Sequence, residues 1–174
     1  MEMVIDKEIL NTFVEETNQL LEELTTIVEN LELANHQPGK FPVELMSDFS
    51  QRIDRIMGAA KTISMVAPQH PGFIRIGRLA EICKIIGYKA AETQSAQLLP
   101  IFAAFWSDTI EVTQNLVNAI SDPRKTDEIV RSFPPVLQKR LEWLLSRTNA
   151  TATQQQPFDQ KAEEARKLLK SLGV

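Results

Sequence analysis

Leu10, Phe13, Val14, Thr17, Leu20, Leu21, Leu24, Ile27, Val28 and Leu31 follow one another at steps of three and four residues. Side chains spaced this way share one face of an α-helix, whose period is 3.6 residues, rather than one face of a strand, whose period is two. The glutamates between them fall on the opposite, wet side. The same spacing returns in Met46, Phe49, Ile53, Ile56, Met57, Ala60 and Ile63, then in Ile76, Leu79, Ala80, Cys83 and Ile86, with Tyr88 a further candidate. It returns again from Leu98 through Phe102, Phe105, Trp106, Ile110, Leu116 and Val117 to Ile120. No strand pattern, hairpin signal or internal repeat interrupts it. Long amphipathic helices joined by short breaks predict an all-α fold, an antiparallel up-down helical bundle.

Breaker clusters place the corners. Asn35-His36-Gln37-Pro38-Gly39, Pro68-Gln69-His70-Pro71-Gly72 and Ser121-Asp122-Pro123 each stop a helix. The helices predicted between them run from about Asp6, as N-cap, to Leu33, and from Pro42 or Val43 to Val66. They continue from Phe73 to Glu92, from Ser95 to Ile120, and from Thr126 to Arg147 with a division at Pro134-Pro135. Gly77 and Gly87 each weaken the third by about 1 kcal/mol relative to alanine, which leaves its end open. Thr148 to Pro157 is polar and aperiodic and reads as a linker. Phe158 to Leu172 then forms a short helix whose apolar face is Ala162, Ala165, Leu168, Leu169 and Leu172. The expected layout is a bundle over 1–147, a linker over 148–157 and a C-terminal amphipathic helix over 158–174.

The net charge is −4, with both signs spread along the chain, which argues against a nucleic-acid surface. No apolar run approaches the roughly 18 residues needed to span a bilayer, and the opening MEMVIDKEIL does not read as a signal peptide. The expectation is a cytoplasmic protein that engages neither membrane nor nucleic acid. Cys83, alone among apolar neighbours, reads as a small buried hydrophobe. His36 and His70 lie in proline-containing loops and read as solvated; with one cysteine they cannot fill a four-ligand metal site. No cofactor is expected, since phosphate-loop, GxSxG and HExxH patterns are all missing. Two acid–amide pairs, Asp48 with Gln51 and Glu111 with Gln114, stand three residues apart. Each could orient a water for attack on a phosphoryl group, a pattern also common on solvated helices.

The informative stretch, Ile56 to Lys84, reads IMGAAKTISMVAPQHPGFIRIGRLAEICK. It resembles the histidine phosphotransfer (HPt) domain of CheA type. There the second helix carries a pattern like F-R-A-A-H-T-I-K-G and the third opens with G-F-x-x-L-x-x-L. Met57-Gly58-Ala59-Ala60 and Thr62-Ile63 flank the key position here, and Gly72-Phe73, Ile76 and Leu79 open the third helix. Phe13 to Leu24 also looks like that family's first helix. The resemblance implies an HPt-like four-helix core plus a fifth helix. Its chemical positions depart from the family together. Lys61 stands where the family has its phosphoacceptor histidine, Ser64 where it has a lysine, Met65 where it has a glycine, and Lys84 where a glutamate holds the imidazole, with Glu81 opening that H-x-x-E-like pair. An ordinary lysine is protonated at neutral pH and has no lone pair for phosphoryl attack.

The tail, Leu168-Leu169-Lys170-Ser171-Leu172-Gly173-Val174, resembles the end of the chemotaxis phosphatase CheZ, whose terminal helix captures a response regulator. Arg166-Lys167 and Val174 depart from that pattern, and a short helix packed back on its own bundle is the other reading of the tail. Taken together, the resemblances imply a non-catalytic pseudo-HPt adaptor in bacterial two-component or chemotaxis-like signalling that binds a response-regulator receiver domain. The protein-binding residues would be Asp54, Gly58, Lys61, Thr62, Ser64 and Met65 on the second helix, with Leu168, Leu169 and Leu172 on the tail. Two rival readings stand beside it: a receiver phosphatase using one acid–amide pair, and a structural subunit that pairs with a second copy as a homodimer.

Overall fold

A computed structural model describes residues 5–34, 41–149 and 156–172. It is an all-α bundle, and among the described residues there is no strand. The helices are α1 (Lys7–Ala34), α2 (Val43–Val66), α3 (Pro71–Thr93), α4 (Leu99–Ala119), α5 (Pro123–Ser132), α6 (Pro134–Asn149) and α7 (Gln156–Leu172), with one 3-10 turn, Ala96–Leu98, ahead of α4.

Local chemistry sets the ends. The Asp6 carboxylate accepts the Glu8 amide at 2.7 Å and starts α1. Asp122 does the same for the Arg124 and Lys125 amides, and Pro123 occupies the first turn of α5. Gly87 does not end α3, which runs on to Thr93 and closes on Gln94 in the left-handed region at φ 45°. The Pro134-Pro135 division falls where the sequence places it, between α5 and α6.

Paired contacts fix the direction of neighbouring helices. Lys61 meets Glu81 while Asp54 meets Lys84, so α2 and α3 run antiparallel. Trp106 donates to the Cys83 carbonyl while His70 bonds the Ile120 carbonyl, so α3 and α4 run antiparallel as well. α1 packs on α2 and α4 and closes a four-helix ring.

A second ring shares its central pair. α6 packs on α4, and α7 packs on both α6 and α3. The terminal helix, expected as a unit of its own beyond a polar linker, thus packs against the bundle. α3 is wrapped on several sides as a result. Phe73, Ile76, Leu79, Cys83 and Ile86 face the first core. Ile82, Ile85 and Lys89, all buried, lie on the same helical stripe as Arg78. Arg78 donates to the Ser171 carbonyl of α7 at 2.7 Å and so ties α7 to α3, on which it packs. A cation at the carbonyl end of a helix also suits its dipole. At the centre, Phe49 and Phe102 stack on the fully buried Trp106, with ring centroids 4.5 and 5.9 Å away.

Candidate functional site

α2 presents the residues that the sequence singles out. Asp54, Gly58, Lys61, Thr62 and Met65 are exposed, and Ser64 is half-buried. Met65 is 81% exposed, and Val66 is exposed beside it. Two of the hydroxyls are turned inward onto the helix: Thr62 bonds the Gly58 carbonyl at 2.8 Å and Ser64 the Lys61 carbonyl at 2.7 Å. Ser64 therefore offers no outward ligand in this rotamer.

Lys61 is tied to α3. Its Nζ donates to Glu81 Oε2 at 3.1 Å, with about half of the side chain still in water. Its stem passes over Gly77, where an added Cβ would lie 3.2 Å from Lys61 Cγ. Lys84 Nζ donates to Asp54 Oδ1 at 2.7 Å, and that bond raises the lysine's pKa. Two ion pairs thus brace α2 against α3, about two turns apart on α2 and one turn apart on α3. The acid that faces Lys61 is Glu81, while Lys84 reaches Asp54.

Beside this face, α1 and α2 leave a groove of about 490 Å³ lined by Glu8, Ile9, Phe13, Glu16, Gly58 and Thr62 among others. Ile9 is 53% exposed there, and Met65 and Val66 stand exposed at the same end of α2. A Cβ added at Gly58 would meet nothing within 4 Å. Ile9 was missed from sequence because its place on the α1 wheel lies at the edge of the apolar stripe.

Of the two readings of the tail, the one in which it packs back on the bundle fits the burial of its leucines. Leu169 and Leu172 are 3% and 0% exposed, and Leu168 is partly buried against the same core. They form the underside of α7, so as packed they hold the bundle together and present nothing to a partner. Arg166 adds a forked ion pair to Glu142 of α6 at 2.8 and 3.2 Å, which lowers the Glu142 pKa.

His70 corrects a second expectation; His36 lies outside the described residues. His70 is half-buried, not solvated. Its Nδ1 accepts the Gly72 amide at 3.1 Å and caps α3, its Nε2 lies 3.0 Å from the Ile120 carbonyl, and its ring packs 4.7 Å from Phe73. This set requires the neutral ring with the proton on Nε2. Burial lowers its pKa, opposed by the Ile120 carbonyl. An unfolded histidine binds its proton more tightly, so this contribution to stability is complete above pH ~6.5 and is lost as pH falls through the lower folded value. Urea midpoints at pH 7.5 and 5.5 check it: the wild type loses more stability on acidification than His70→Asn, whose amide oxygen caps without titrating. Equal losses would refute the role.

The remaining candidates resolve simply. Cys83 is buried and its thiol is pushed up to about 12 by burial, with the Thr109 hydroxyl opposing, so it is inert. The Gln114 amide donates to Asn18 at 2.6 Å and Asn118 at 3.1 Å, which commits it to joining α1 and α4. Asp48 sits 4.0 Å from Arg52, and Gln51 is exposed. Among the described residues no cluster of three or more histidine, cysteine or acidic side chains could hold a metal, and no helix is long and apolar enough to cross a membrane. No protein-family model matches this chain, and no curated protein or solved structure matches it either.

Proposed function

We propose that the protein is a non-catalytic adaptor that docks a response-regulator receiver domain on the exposed face of α2. The observation that carries this reading is the setting of Lys61. The residue in the place of a phosphoacceptor is an ammonium group already braced by Glu81, on a surface that keeps Gly58 open and Met65 in water. An ammonium held in an ion pair is no nucleophile, but it suits the acidic pocket of a receiver. Met65 supplies an apolar anchor, of the adaptable kind common at binding surfaces.

The test is direct binding of purified receiver domains by calorimetry, together with the decay of their phosphorylated forms. The wild-type chain binds at least one receiver. Met65→Asp weakens that binding at least about tenfold, roughly 1.4 kcal/mol, and phosphoryl decay is not accelerated. Lys61→Ala changes stability by less than about 1 kcal/mol, because an exposed pair contributes little to folding. Accelerated decay that disappears with Gln51→Ala would replace the adaptor by a phosphatase. Failure of every receiver to bind would end the signalling reading.

A further inference from the structure

Folding sorts the charges of this chain into two flanks. α1 carries one lysine against seven glutamates, net −6. α5 and α6 together carry six cations against three carboxylates, net +3. α1 packs on α2 and α4, whereas α6 packs on α4, α5 and α7. The acidic and basic helices therefore lie on different sides of α4.

Each flank also shows apolar surface. On the acidic side is the α1–α2 groove, whose charged lining residues are Glu8 and Glu16, with Ile9 exposed on its rim. Of the α2 cations beside this groove, Lys61 is turned to Glu81 of α3, and Arg55 lies close enough to Glu23 to help lower its pKa. On the basic side, Val136, Lys139, Trp143 and Arg147 form one stripe along α6. Val136 and Trp143 are 58% and 44% exposed, and the Arg147 guanidinium lies 5.5 Å from the Trp143 ring centre. That contact restrains the indole at low cost. Exposed tryptophan beside arginine is the composition of an interface anchor.

We propose that the α6 stripe of one copy docks in the α1–α2 groove of a second copy. Trp143 enters over Gly58, and Lys139 and Arg147 approach Glu8 and Glu16. The glycine fits this role. Nothing within 4 Å of a Cβ at position 58 requires it for packing, and it costs the helix about 1 kcal/mol relative to alanine. Its effect is to leave the groove floor open. Because the two patches differ and sit apart on one molecule, the contact is heterologous, and copies add head to tail or close a ring. Gly58 and Thr62 belong both to this groove and to the receiver-docking face, so the two occupants exclude one another, but the inference does not depend on receiver binding.

Sedimentation velocity on the full chain, from about 5 to 500 µM, tests it. The average mass rises with concentration to at least about twice the monomer at low salt, and falls back toward the monomer at about 0.5 M salt. Trp143→Ala and Gly58→Phe are each monomeric, with unchanged helical circular dichroism. An equal mixture of the two gives a dimer and nothing larger, since one supplies an intact groove and the other an intact stripe. A wild type that stays monomeric throughout, variants that still associate, or a mixture that does not recover the dimer would each overturn the proposal.

Discussion

A chain ended at Arg147 loses several kcal/mol of stability and binds a dye for exposed apolar surface. The two buried leucines of α7, Leu169 and Leu172, contribute roughly 3–6 kcal/mol of burial between them. Their removal also bares the side of α3 on which α7 packs and frees Arg78 from its bond to the Ser171 carbonyl. Urea unfolding and anilinonaphthalene sulfonate fluorescence read the two effects separately. Leu172→Asp gives the same result without shortening the chain. A truncated protein with an unchanged urea midpoint and no dye binding would show that α7 is not part of the folded unit.

Trp106→Ala lowers stability by about 3–5 kcal/mol, the range for removing a fully buried large aromatic. The side chain is 0% exposed, lies between Phe49 of α2 and Phe102 of its own helix, and donates to the Cys83 carbonyl of α3 at 3.3 Å. It therefore links three helices of the first ring. Trp106→Phe keeps most of the burial and loses the hydrogen bond, so its cost should fall near 1–2 kcal/mol. Equal costs for the two variants would show that the hydrogen bond, and not the packing, carries the site. Trp143→Ala, on the surface, supplies the comparison, with a change within about 0.5 kcal/mol.

Much of this was legible in advance for a simple reason. A helix stripe, a capping aspartate and a proline corner are local features, and Asp6, Asp122 and Pro134-Pro135 act within a few residues of themselves. Gly87 left the end of α3 open, and the helix runs through it because the penalty of a glycine is about 1 kcal/mol, less than the packing that surrounds α3. His70 misled because a proline-rich loop is usually wet. Its Nε2 partner, the Ile120 carbonyl, is fifty residues away in sequence. The candidate face on α2 exposes Asp54, Gly58, Lys61, Thr62 and Met65, with Ser64 half-buried. Its brace, Glu81, and its neighbour, Ile9, come from other helices, and no spacing along α2 announces them.

The tail makes the same division clear. The apolar face of α7 could be recognised from Ala162, Ala165, Leu168, Leu169 and Leu172, but an amphipathic stripe says only that something covers it. Tertiary structure supplies the cover: α3 and α6 of the same chain. Charge behaves likewise. A net charge of −4 with both signs spread along the sequence hides the fact that α1 carries −6 while α5 and α6 carry +3. The sequence by itself determined the helices and their buried stripes, because period and capping are set by neighbours in the chain. Which stripe meets which, and where acidic and basic flanks come to lie, was decided only by the packing of α3 and α4 at the centre, since those contacts join residues far apart in sequence.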